Sequence, residues 1–169
     1  MNSICSFPPV ANAGAERLIL GSMPGKVSLS EQQYYAHPRN LFWRFMASVE
    51  GVPESLSYEQ RCRALVDRQI ALWDVLKTCI RSSSLDADID ESSIVPNDFE
   101  TFLSAHPGIR RIYFNGAKAQ ASYLRYVQPH LPPHLAAIEK CRLPSTSPAN
   151  AAMPLAVKLE QWQLITHTA

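Results

Sequence analysis

The sequence predicts an α/β fold, a three-layer α/β/α sandwich, and three observations carry that expectation. Short apolar runs at 17–21, 109–115 and 138–143 each read as a buried strand. Each run ends in a loop punctuated by glycine or proline. A stretch with helical character follows each loop in turn. Strand, loop and helix repeated in this way form the pattern of a sheet covered on both faces. Such sheets bind ligands at the carboxyl ends of their strands. The loops 21–25, 115–118 and 144–150 are therefore expected on one edge, although they lie far apart in sequence.

The elements follow in order. Arg17-Leu18-Ile19-Leu20-Gly21 reads as a strand that feeds the tight loop Gly21-Ser22-Met23-Pro24-Gly25. Leu41, Phe42, Phe45, Met46 and Val49 recur at near-helical spacing after Asn40, a suitable N-cap. Ser57 with Gln60 forms a capping-box pattern for a helix running toward Gln69. Residues 70–76 are an apolar block that reads as a short strand and turn, and 82–96 as a long polar surface loop. Asn97 with Glu100 marks a helix start, which Pro107-Gly108 ends. Residues 109–115 form the next strand, then Gly116 and a helix over 117–127. A last strand at 138–143 opens into Pro144-Ser145-Thr146-Ser147-Pro148-Ala149-Asn150, followed by a helix with Leu155, Leu159 and Trp162 on one face. No repeat or linker divides the chain, so 1–169 is expected to be a single domain.

Composition narrows the class. The 169 residues are 46% hydrophobic and 18% charged, which argues against disorder. No apolar window is long enough to span a bilayer and the start lacks a signal-peptide pattern, so a soluble cytoplasmic protein without membrane contact is expected, monomeric by default. The cysteines at 5, 62, 79 and 141 form no CxxC, which gives a metal site no support and predicts reduced, mostly buried thiols. The net charge of +1 excludes a highly basic nucleic-acid coat. Charge is nonetheless uneven: residues 86–100 hold six acidic and no basic side chains, whereas 101–169 hold seven basic and two acidic. A polyanion is expected to meet the two ends of the chain, with the acidic segment facing away.

The three loops and one further segment carry the candidate chemistry. Gly21, Ser22, Met23, Pro24 and Gly25 offer backbone N–H groups to an anion or sugar, without the spacing of a Walker or dinucleotide loop. Tyr34-Tyr35-Ala36-His37-Pro38-Arg39-Asn40 crowds aromatic and polar groups ahead of a helix. Tyr35 suits stacking on a planar base, His37 its polar edge, and Arg39 a phosphate. Asn40 suits holding a water but is too weak to act as a strong base, which fits a reaction whose leaving group departs first. It reads equally as a helix cap beside core aromatics. Asn115 before Gly116 suits a base edge or a water, or else a plain turn. Lys118 sits in a first helical turn, where a cation gains nothing from the dipole, and so points to an external anion. Ser145, Thr146, Ser147 and Pro148 suit a backbone phosphate. Asp74, Arg81 and Asp86 read as ion pairs bracing a pocket wall. No GxSxG elbow supports a serine hydrolase.

Together LILGSMPGKVS at 18–28, YYAHPRNLFWRF at 34–45, ALWDVL at 71–76, IYFNGAKA at 112–119 and LPSTSPAN at 143–150 resemble the uracil-DNA glycosylase superfamily. The resemblance is to its hypoxanthine-DNA glycosylase branch, also called DNA-deoxyinosine glycosylase. It implies a four-stranded, mostly parallel sheet of order 2-1-3-4 between helical layers. It implies a deaminated base flipped out of double-stranded DNA as substrate, and neither metal nor organic cofactor. Mismatch-specific relatives place the catalytic water with an asparagine in the first loop, where this chain has Met23. In the hypoxanthine branch the HPRN asparagine, here Asn40, takes the catalytic role, and the FNG asparagine, here Asn115, is also implicated. Tyr35 falls where relatives stack an aromatic on the extruded base. The segment 143–150 matches the loop that enters the DNA helix, with Leu143 or Ser145 at the usual His or Asn. Uracil or mismatch excision, and a catalytically silent DNA-binding module of the same fold, are the alternative functions.

Overall fold

A computed structural model describes residues 2–166; residue 1 and residues 167–169, the ends of the expected 1–169 domain, lie outside the described residues. The strands are β1 (Ile4–Cys5), β2 (Arg17–Gly21), β3 (Ile70–Asp74), β4 (Leu76–Cys79), β5 (Val95–Pro96), β6 (Arg111–Asn115) and β7 (Glu139–Leu143). The helices are α1 (Lys26–Glu31), α2 (Phe42–Glu50), α3 (Tyr58–Asp67), α4 (Phe99–Ala105), α5 (Ala117–Ser122), α6 (Pro133–Ala136) and α7 (Leu155–Trp162).

β2, β3, β6 and β7 form one sheet in the order β3-β2-β6-β7, with every neighbouring pair parallel. Numbered among themselves, these strands run 2-1-3-4, as the resemblance implies. Every residue of β2 and β3 is buried, as strands covered on both faces require. The pleat sorts their side chains between two cores. Leu18, Leu20, Trp73 and Phe114 meet Phe99, Phe102 and Tyr123 on one face. Ile19, Leu72, Tyr113 and Leu143 meet Phe42, Phe45, Leu65 and Trp162 on the other. The expected three layers are present.

Local signals account for much of the rest. The capping box at Ser57 and Gln60 forms in both directions. Buried Arg17 ties the second core together. Its guanidinium pairs with Glu50 and donates to the carbonyls of Ile165 at 2.7 Å and Arg68 at 2.6 Å.

Several expectations need correction. The block 70–76 holds all of β3 and the start of β4, which joins an antiparallel sheet β1-β4-β5 that two-residue strands do not announce in sequence. The cap of α4 is Asp98, whose carboxylate accepts from the Thr101 N–H, while the Asn97 amide donates to the Asp74 carbonyl at 2.8 Å. The stretch 117–127 is helical, yet Tyr123–Val127 widens into a π-turn. In α7 Leu155 is exposed, and the buried positions are Trp162 and Lys158, whose ammonium donates to the Asn150 carbonyl. Of the four free cysteines only Cys79 is buried.

Candidate active site

The carboxyl ends of β2, β3, β6 and β7 open onto a cleft of about 420 Å³, within the range of small-molecule sites. Its walls contain Gly21–Gly25, Tyr35, His37, Asn40, Asn115 and Ser145–Pro148. Parallel strands with their loops at one end place these distant segments together. Arg39 and Lys118 do not line it. Arg39 is exposed next to the lining residue Asn40, whereas Lys118 pairs with Glu91 of the acidic segment.

Thr146 holds three of the predicted segments in place. It is fully buried, and its N–H donates to Asn115 Oδ1 while Asn115 Nδ2 donates to Thr146 Oγ1, both at 2.9 Å. Its carbonyl accepts from the Leu41 N–H at 3.0 Å. Both ends of the Asn115 amide are thus occupied within the protein. Gly116, at φ 99°, takes a left-handed turn, and a Cβ there would lie 3.1 Å from the Ser145 Cβ.

Asn40 is partly buried. Its Oδ1 accepts from the Phe42 N–H at 2.9 Å, which holds the start of α2 and fixes which end of the amide is oxygen. The helix itself begins one residue later than a cap at Asn40 implies, with Leu41 as the flanking residue. The Asn40 Nδ2 donors and a second Oδ1 lone pair remain available on the cleft side. His37 Nδ1 accepts from the Arg39 N–H at 3.0 Å, so a neutral ring carries its proton on Nε2.

Tyr35 adopts φ 55°, a left-handed conformation that a bulky side chain rarely takes and that often marks a functional site. Its ring stacks on Phe42 with centroids 4.2 Å apart, and Tyr34 anchors the turn by donating to the Pro8 carbonyl. The Tyr35 hydroxyl is buried without a hydrogen-bond partner. Burial pushes that hydroxyl far above its ordinary pKa, Asp74 adds to the rise, and the Asn115 amide opposes it.

Two carboxylates expected on the pocket wall, Asp74 and Asp86, do line the cleft, but not as ion-paired braces. Asp74 ends β3 directly opposite Gly21, is 3% exposed, and lines the cleft. Burial, reinforced by Asp86, pushes it up to about 7 against the opposing charge of Arg81. At its start the acidic segment does not face away: Asp86 and Ala87 form part of the cleft wall, and Asp86 accepts from the Ser22 hydroxyl at 2.7 Å. The expected ion pairs among Asp74, Arg81 and Asp86 do not form. Arg81 instead donates to the Pro24 carbonyl at 2.7 Å, bracing the first loop. What the sequence did not show is that Asp74 ends a buried strand directly beside Gly21, which depends on the parallel pairing of 70–74 with 17–21.

Residues 8–165 match the family model described as the Uracil DNA glycosylase superfamily. The chain belongs to that superfamily. A Methanosarcina barkeri relative named Hypoxanthine DNA glycosylase is 41% identical over 114 residues, covering 67% of this chain and 71% of the relative. A Methanosarcina acetivorans protein of the same name is 40% identical over the same length, with the same coverage. A solution NMR structure from M. acetivorans, provisionally described as a uracil DNA glycosylase, is 33% identical with TM-score 0.80. That match covers 97% of this chain and 96% of the other. Among the described residues no helix is long and apolar enough to cross a membrane.

Proposed function

We propose that this superfamily member is a monofunctional DNA glycosylase that hydrolyses the N-glycosidic bond of hypoxanthine in double-stranded DNA and leaves an abasic site. The observation that carries the reading is the meeting of Tyr35, Asn40 and Ser145–Pro148 in one cleft at the strand ends. The two Methanosarcina relatives named for hypoxanthine support the same substrate. The protein acts as a monomer in this reading, and the free thiols suit a reducing cytoplasmic compartment.

In this reading Ser145, Ser147 and Pro148 press on the DNA backbone and Arg39 meets a phosphate, while Lys118 stays paired with Glu91. Flipping a nucleotide costs a few kcal/mol, and less at a mispair, which supplies part of the selectivity. The extruded base rests on the face of Tyr35 turned away from Phe42, with His37 at its edge. As the bond from C1′ to N9 lengthens, the sugar becomes cationic and the base anionic. Water held by Asn40 captures C1′. Asn115 acts through Thr146, holding the backbone-contacting loop against the base pocket. Met23 is 7% exposed on the lining and brings no strong hydrogen-bonding group to the first loop, so water placement falls to Asn40. Among the described residues, Lys26 is the lysine on the lining. Its exposed position denies it the desolvation that activates an amine nucleophile. Strand cleavage through a Schiff base is therefore not expected.

The test is release of free base from duplexes carrying deoxyinosine, deoxyuridine or deoxyxanthosine. Release of hypoxanthine well ahead of uracil, with no strand break, supports the reading. Equal processing of uracil contradicts the role given to Met23, and DNA binding without release of any base identifies a silent binding module.

A further inference from the structure

Asp74 and Tyr35 present two polar atoms that the protein itself leaves unused. Asp74 Oδ2 and the Tyr35 hydroxyl are both buried and both lack a hydrogen-bond partner. Buried polar groups are paired in the great majority of cases, so two orphans at one point on a cleft wall call for an external partner. The Asp74 carboxyl and the Tyr35 hydroxyl both lie against Gly21. A Cβ there would stand 2.5 Å from Asp74 Oδ1 and 2.9 Å from the Tyr35 hydroxyl oxygen, so only a residue without a side chain lets both groups approach this point of β2. The parallel pairing of β2 with β3 sets Gly21 beside Asp74, and the left-handed turn at Tyr35 delivers its hydroxyl there.

We infer that Asp74 is the general acid that protonates the departing purine, with the Tyr35 hydroxyl beside that carboxyl rather than on the base. The inference rests on the glycosylase reading above and names the group that receives the negative charge of the leaving base. The C1′–N9 bond breaks heterolytically and its electron pair passes to the purine. The carboxyl proton of Asp74 moves to N7, the most basic ring nitrogen of a 9-substituted hypoxanthine. A water oxygen forms the new bond to C1′, and the proton it sheds returns to the Asp74 carboxylate through solvent. The sum is hydrolysis with the acid restored, and no further reactant is consumed.

The surroundings keep this carboxyl protonated near neutrality. Asp86 faces it from the acidic wall and favours the neutral form; Arg81, from the strand end beyond β4, opposes it. Tyr35 and Tyr34, from the turn before α2, are held neutral by burial and so contribute no charge. Arg81 directs its guanidinium to backbone carbonyls of Pro24 and Ser83, which leaves Asp74 without a salt bridge.

Asp74→Asn keeps the shape and removes the proton. Single-turnover release of hypoxanthine is measured for wild type and D74N between pH 5 and 9, with thermal unfolding as a check on folding. The expected result is a loss of about 100-fold or more at pH 6, within the range of general acid catalysis, and disappearance of the wild-type decline toward alkaline pH. A duplex carrying 7-deazahypoxanthine, which has no N7 acceptor, is expected to be processed equally slowly by both proteins. A D74N rate within threefold of wild type with an unchanged pH profile overturns the role of Asp74 alone. An equally large D74N effect on the 7-deaza substrate also overturns it, because the residue then acts otherwise than through N7. Absence of base release by wild type overturns the glycosylase reading and this inference together.

Discussion

Asn115→Ala removes the side chain that holds Thr146 by two 2.9 Å hydrogen bonds, with Thr146 fully buried. The Thr146 N–H and hydroxyl are then stranded out of reach of water. A buried polar group left unpaired costs about 1–3 kcal/mol. Two such groups, partly relieved by local shifts, give an expected loss of about 2–4 kcal/mol. At roughly 2–4 °C per kcal/mol for a chain of this length, the melting temperature falls by roughly 5–15 °C. Urea unfolding measures the free energy directly. Thr146→Val removes the hydroxyl from the same contact, so the double variant is expected to lose less than the sum of the singles. Base release falls as well, because the Leu41 N–H bonded to the Thr146 carbonyl links this loop to Asn40. A stability change below about 0.5 kcal/mol, or strict additivity with Thr146→Val, would refute the account of Asn115 as a positioning residue.

Other outcomes follow from the same geometry. Arg17→Ala strands Glu50 in a nearly closed site and removes two bonds to backbone carbonyls; the expected loss in urea unfolding is about 3 kcal/mol or more. Gly21→Ala puts a methyl group 2.5 Å from Asp74 Oδ1, so base release is expected to fall at least tenfold while unfolding shifts by only about 1–3 kcal/mol. Asp74 binds its proton more tightly in the fold, at about 7, than in the unfolded chain, at 3.8. Its contribution to stability is thus full below pH 3.8 and lost as pH rises to about 7, at a slope of at most about 1.4 kcal/mol per pH unit. Asp74→Asn is expected to flatten that part of the profile measured by thermal unfolding across pH.

The central sheet was legible because fully buried parallel strands are written as continuous apolar runs. Leu18-Ile19-Leu20 and Ile112-Tyr113-Phe114 leave no other reading once each ends at a glycine-containing loop. The small antiparallel sheet was not, since Ile4–Cys5 and Val95–Pro96 are too short to show a period. Most of the cleft was also legible: residues placed at strand ends by one topological rule do gather there. What composition concealed was the opposite wall. A run of aspartates reads as solvated surface, yet Asp86 turns inward to take the Ser22 hydroxyl while Glu91 takes Lys118. Pairing of this kind between distant segments leaves no local pattern. The inward face of α7 was legible through Leu159 and Trp162, but Leu155 on it is exposed. Lys158 on the same face is buried through its bond to the Asn150 carbonyl rather than by hydropathy.

Single-turnover release of hypoxanthine by Asn40→Ala, measured beside its affinity for the same duplex, tests the account at its centre. Asn40 lines the cleft through an amide whose oxygen is already steadied by the Phe42 N–H. A fall of 100-fold or more in the chemical step, with DNA affinity within about threefold of wild type, is the expected result. A near-normal rate of release would contradict it.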